Sequence, residues 1–169
     1  RLCLLCLALS FGVTAIPPPA ATNNTCVVTK TTTNMTTFRM NPGGFSFNNT
    51  VYFAGGNVCV DAGCTKQKDI NSVEYFDGKQ WVVEPASLPA AASGLQCVSL
   101  ESAVVCASPP SYFVWHGPGT PWTSTKQSSY RIEMGFAAVA GRYAVFAGGE
   151  EKGKTKCSSR IDVYDTQTN

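Results

Sequence analysis

The sequence predicts an all-β fold built from repeated short-stranded units, and three observations carry that prediction. Fifteen glycines and ten prolines are spread through 169 residues without a period of three, which favours turns and short strands over long helices and excludes collagen. From Phe38 onward, β-branched and aromatic runs alternate with turn clusters. One such run, Val51-Tyr52-Phe53-Ala54-Gly55-Gly56, returns as Ala144-Val145-Phe146-Ala147-Gly148-Gly149, so the chain repeats itself. A composition 44% hydrophobic and 14% charged describes a chain that folds rather than a solvating tail.

Taken in order, residues 1–15 read as a signal peptide. Arg1 precedes the apolar run Leu2-Cys3-Leu4-Leu5-Cys6-Leu7-Ala8-Leu9, and Val13-Thr14-Ala15 ends it in small-x-small form before Ile16-Pro17-Pro18-Pro19. Some fifteen apolar residues fall short of the roughly 20 needed to span a bilayer. The expected location is therefore secreted, extracellular or at the cell surface. Residues 16–37 form a Pro/Thr-rich lead-in or linker, with eight Thr among residues 22–37 and Lys30 their one charge, so this stretch has no core to bury. Sequons at Asn23, Asn34 and Asn48 agree with export and mark candidate glycosylation sites.

The distance from Gly56 to Gly149 is 93 residues, two units of 46.5, which predicts a worn copy between them. Residues 94–108 align without a gap on residues 135–149 at a shift of 41, placing Ala107-Ser108 where a glycine pair would stand. After each pair comes a polar loop, then a strand ending in an aromatic and an acid. These are Val73-Glu74-Tyr75-Phe76-Asp77 and Ile161-Asp162-Val163-Tyr164-Asp165, with Tyr112-Phe113-Val114-Trp115 in the middle copy. A turn follows, at Asp77-Gly78 or His116-Gly117, and then Trp81 or Trp122.

An apolar strand, Gly-Gly, a spacer, an aromatic-acid strand end, a turn and Trp together resemble the kelch repeat, whose four-stranded antiparallel units are blades of a β-propeller. Gly55, Gly56, Tyr75, Phe76, Asp77, Trp81, Gly148, Gly149, Tyr164 and Asp165 match the pattern, and Ser108 departs from it. The resemblance covers residues 38–169, with blades at about 38–90, 91–130 and 131–169. It implies that Tyr75, Phe76 and Trp81 lie between blades. Just under three blades do not close a ring that takes typically four to eight. The expectation is an incomplete ring, belonging to a longer product or meeting other chains.

Removal of the leader would leave Cys26, Cys59, Cys64, Cys97, Cys106 and Cys157, an even count that in an oxidising compartment predicts disulfides rather than zinc. Cys97 and Cys106 straddle a hairpin turn, Cys59 and Cys64 flank a short loop, and Cys26 and Cys157 could pair with each other or with cysteines elsewhere. A net charge of +2 without a basic stripe gives no reason to expect nucleic acid, and no cofactor or metal set is expected. The single histidine, His116, sits in a predicted turn without a nucleophile motif. The glycine pairs do not lead into a phosphate-loop signature.

Two functional classes follow. The first is a non-enzymatic protein- or glycan-binding module using blade loops such as 57–71 and 150–159. The second rests on the same resemblance: an N-terminal part of a secreted copper radical oxidase similar to galactose oxidase, with its catalytic residues outside this chain. One histidine cannot supply that copper site.

Overall fold

The computed structural model describes residues 33–126, 131–133, 135–151 and 157–168. The predicted signal peptide, Asn23, Cys26 and most of the lead-in lie outside the described residues. No helix occurs among the described residues, and none there is long and apolar enough to cross a membrane. The elements are all strands. A first sheet has order β1 (Gly43–Phe47), β2 (Thr50–Ala54), β5 (Val73–Phe76), β6 (Trp81–Glu84), with the hairpin β3 (Asn57–Cys59) and β4 (Gln67–Asp69) inserted between β2 and β5. A second has order β7 (Gln96–Ser99), β8 (Val104–Ser108), β9 (Ser111–Trp115), β10 (Thr123–Lys126). A third contains β12 (Phe136–Ala140), β13 (Tyr143–Ala147) and β15 (Ile161–Asp165), and β11 (Arg131–Glu133) pairs with β14 (Glu150–Glu151) beside it. Every pairing is antiparallel, and apart from the β3–β4 insertion and the β14 excursion the strands of the three sheets pair in chain order, the up-and-down order of propeller blades.

Local chemistry sets the turns. Asn48 and Asn49 have φ of 47° and 62°, and Phe47 faces Thr50 across them, which is the two-residue type I′ hairpin whose twist matches its strands. At the other hairpin of the first sheet, Asp77 Oδ1 accepts hydrogen bonds from the Lys79 and Gln80 amides, both at 2.8 Å. These bonds hold the Asp77 carboxyl below its usual range. Asp165 receives the Gln167 amide in the same way, at 3.0 Å. The acids that end the first and third motif strands are thus turn-formers, using their side chains to satisfy backbone donors.

The core is two layers, each between consecutive sheets. Phe45, Phe47, Tyr52, Ala54 and Val73 of the first sheet pack against Val104, Cys106, Phe113, Trp115 and Trp122 of the second. The indoles of Trp115 and Trp122 are stacked at 5.5 Å, and Phe45 meets both edge-on at 6.1 and 5.9 Å. The opposite face of the second sheet, Val98, Val105, Ala107, Tyr112 and Val114, packs against Ala144 and Phe146 of the third. Strand β8 is buried along its whole length because it is covered on both faces, which is why Val-Val-Cys-Ala shows no polar alternation.

Three expectations change. The second and third hairpins are centred between Ser99 and Val104 and between Ala140 and Tyr143, a shift of 40 rather than 41. Face assignment agrees, since Val104 and Cys106 look toward the preceding sheet as Ala144 and Phe146 do. A one-residue slip would turn every side chain to the wrong face. The counterparts of the glycine pair are therefore Ser108-Pro109, in a tight turn containing the cis Pro109–Pro110 bond, and not Ala107-Ser108. Second, only Tyr75 of the trio Tyr75, Phe76 and Trp81 packs against the layer between the first two sheets. Trp81 lies half-buried on the opposite face of the first sheet, against Phe53 at 5.2 Å and Phe76 at 5.6 Å. Third, the lead-in is tied to the first sheet at its end, where the amides of Thr36 and Thr37 donate to the Glu74 carboxylate at 2.9 and 3.2 Å.

Trp122→Ala removes an indole buried between two sheets and is expected to cost about 3–5 kcal/mol, whereas Trp81→Ala costs less because its ring already meets solvent. Urea unfolding of both variants checks the order.

Candidate binding face

The strands divide the connections between two ends of the sheets. One end carries the tight turns Asn48-Asn49, Asp77–Gln80, Leu100–Ala103, His116–Thr120 and Gly141-Arg142. The other carries the β2–β5 insertion, the Pro109-Pro110 turn, residues 85–95 linking the first two sheets, and the connection that leaves Gly148-Gly149. Among the described residues the long, shaped loops are at the second end, and there the candidate site lies.

The β3–β4 hairpin projects from this end on a rigid neck. Gly55 and Gly56 adopt φ of 60° and 95°, so the chain leaves β2 in a conformation that disfavours side chains. A Cβ on Gly55 would run into the Ala92 carbonyl, and one on Gly56 would stand 2.7 Å from the Met40 carbonyl oxygen. The close approach lets the Gly56 amide donate to Ala92 O at 2.8 Å, while the amides of Met40 and Asn57 exchange bonds with each other's carbonyls. Arg39 clamps both sides of the neck: Nη1 donates to Gly55 O at 3.0 Å and to Ser72 O at 2.9 Å. Nη2 reaches Ser72 Oγ at 3.2 Å and the Glu74 carboxylate, and both charged side chains are wholly buried.

Burial by itself would raise the Glu74 carboxyl, but the hydrogen bonds from Thr36 and the Arg39 charge outweigh it and hold the group below its ordinary value. At the equivalent place in the third sheet, Asp162 accepts from the Tyr112 hydroxyl of the second sheet at 2.9 Å. The Thr36–Arg39 segment thus does for the first sheet what a preceding sheet does for the third.

At its tip the hairpin is closed by the Cys59–Cys64 disulfide, with Cα atoms 4.7 Å apart. Asp61 accepts the Thr65 amide at 2.7 Å and the Thr65 hydroxyl, which lowers its carboxyl. The exposed surface so presented mixes Val60, Lys66, Gln67, Lys68 and Asp69. Beside the base of the hairpin lies an open cleft of about 290 Å³, lined by Asp69, residues 90–93, Ser108, Pro109, Pro110, Ser111 and Phe113. Such a surface suits non-covalent contact; among the described residues no group of three His, Cys, Asp or Glu side chains is placed to hold a metal ion.

The remaining sequence-predicted residues are distributed as follows. Cys97 and Cys106 are bonded across β7 and β8, with Cα atoms 4.0 Å apart and Cys106 fully buried. Cys157 is exposed and its backbone bridges to Glu150. Asn34 and Asn48 are exposed. Gly148 and Gly149 have φ of 74° and 88°, repeating the first pair. Asp165 is paired with Arg142 at 3.0 Å, and the Tyr164 ring lies 6.3 Å from Tyr112. His116 Nδ1 lies 3.2 Å from Ser102 O within the turn end, away from the candidate face. Of the 150–159 loop, residues 152–156 lie outside the described residues. Sequence reasoning did not find Arg39 or Asp61. Glu74 stands in the repeated motif, but nothing in its neighbours announces a partner 35 residues upstream.

No family model matches the sequence, and no curated protein does. Among solved structures, that of YjhT, a kelch-type β-propeller-like protein, matches with a TM-score of 0.62 at 10% identity. The match covers 78% of this chain and 50% of that one, so this chain spans about half the length of the structure it resembles. At that identity the likeness shows the fold: an all-β, propeller-like array of antiparallel sheets.

Two outcomes are expected. Glu74→Gln leaves Arg39 buried without its counter-charge and should cost about 3–5 kcal/mol near neutral pH. Because the folded carboxyl lies below its unfolded value of about 4.3, its contribution is full above that pH and disappears as pH falls through the folded value. Stabilities of parent and variant should therefore converge in acid, as pH-dependent denaturant titrations will show. Under mild reductant with alkylation, Cys59 and Cys64 should be labelled before Cys97 and Cys106, since Cys59 is exposed and Cys106 is not; peptide mass spectrometry gives the order.

Proposed function

We infer that the chain is part of a secreted or cell-surface kelch-type propeller that binds a protein or glycan ligand through its loop end. The observation that carries this reading is the β3–β4 hairpin, a projecting loop whose neck is clamped by Arg39 and whose tip is closed by a disulfide. Preorganisation of this kind lowers the entropy lost on binding and so serves recognition. The repeated glycine pairs and aromatic-acid strand ends support the kelch assignment, and the propeller-like fold supports a scaffold that displays loops. The two disulfides are consistent with an oxidising, extracellular setting.

The test is binding of the full chain to arrays of extracellular proteins and of glycans. A double change on the hairpin, Val60→Ser with Lys68→Ala, should weaken the captured interaction at least about 10-fold, or about 1.4 kcal/mol. Lys79→Ala, at the turn end, should leave it unchanged. Binding that ignores the hairpin, or that follows Lys79, rejects the loop end as the docking face.

A further inference from the structure

We propose that Asn48 carries an N-linked glycan and that this glycan screens the turn end of the first sheet, leaving the loop end as its accessible end. The inference rests on the secretory reading above and adds to it which end of the sheet is free to dock.

Asn48-Asn49-Thr50 has the acceptor form Asn-x-Thr, and the structure puts all three residues in one tight device. Asn48 and Asn49 are the two central residues of the type I′ turn between β1 and β2, both exposed, and Thr50 begins β2 opposite Phe47. A left-handed backbone at Asn48 is one that asparagine tolerates better than most side chains. The same position therefore satisfies the turn and presents the amide to solvent. Phe47 is turned instead into the core between the first two sheets, against Trp115 at 5.5 Å, so a sugar on Asn48 displaces no packed group.

The position also decides what a glycan would cover. Strand order β1-β2-β5-β6 places the Asp77–Gln80 turn next to the Asn48-Asn49 turn on the same end of the same sheet. At the usual strand spacing the two turns stand roughly 10 Å apart. Gly117, in the turn between β9 and β10, lies against the Phe47 ring, so the turn end of the second sheet adjoins as well. The hairpin β3–β4 and the cleft are at the far end of the strands. A bulky hydrophilic chain on Asn48 obstructs approach to the turns and leaves the hairpin open.

The full 169-residue chain is expressed in cells that attach N-glycans, once with its own N-terminus and once behind a heterologous secretion leader. Enzymatic deglycosylation in heavy-oxygen water marks each occupied asparagine by mass. Label at Asn48 is expected, lost in Thr50→Ala and kept in Thr50→Ser. A bulky amine-reactive reagent should then modify Lys79 several-fold less in the glycosylated protein than after trimming to a single sugar, with Lys68 on the hairpin unchanged. An unmodified Asn48 behind the heterologous leader overturns the site itself. Equal Lys79 labelling before and after trimming overturns the screening. A chain that is glycosylated behind the heterologous leader yet stays intracellular and unmodified with its own N-terminus overturns the secretory reading, and with it the glycan as a native feature.

Discussion

The structure depends on sheets that are apolar on both faces and so must be covered twice. Strand β8 shows the constraint in its strictest form: five consecutive residues, Val104–Ser108, are all buried because the first sheet lies on one side and the third on the other. A strand with one wet face would alternate polar and apolar side chains, and this one does not. The stacked Trp115 and Trp122, with Phe45 edge-on to both, sit in that layer between the first two sheets.

The same constraint explains the faces at either end of the array. The third sheet presents Phe136, Tyr143, Ile161 and Val163 to solvent on one face, and the register makes Ile161 and Val163 the counterparts of Val73 and Tyr75, which pack against the second sheet. The first sheet in turn presents Val51 and Val83 on the face that holds Trp81. Here the covering is partial. Thr36, Thr37 and Arg39 satisfy Glu74 where a neighbouring sheet would, and in the third sheet Tyr112 does satisfy Asp162. At this register Glu74 is buried and Asp162 half-buried, and each is hydrogen-bonded by what lies over it.

Rigid sheets also make the loops useful. The neck of the β3–β4 hairpin is fixed by main-chain bonds from Gly55, Gly56 and Ile70 and by the Arg39 guanidinium, so its tip is positioned by the sheet beneath it. Glycine is required there because the chain turns through positive φ while two backbone oxygens press on the space a Cβ would fill. The pair that looks in sequence like a strand terminator is the hinge that throws a thirteen-residue excursion, Asn57–Asp69, outward.

By itself, the sequence determined the all-β class, the repeat and the strand-turn order and proposed both disulfide pairings that the structure shows, because these depend on near-neighbour chemistry: turn residues, periodicity, and cysteines a few positions apart. It also placed the glycine pairs and closing acids of the first and third copies. Tertiary structure decided what depends on which face a residue occupies. A gapless alignment of residues 94–108 on 135–149 looks natural as text, yet the paired strands superpose at a shift of 40 rather than 41, and a strand reverses its faces with a shift of one. Trp122, and not Trp81, is the indole sealed between sheets because the first sheet covers the face Trp122 occupies, while among the described residues no sheet covers the matching face of the first. Arg39 was equally invisible, since nothing beside it in the sequence, just past the Thr-rich lead-in, points to Glu74, which comes from a strand 35 residues later and is folded against it.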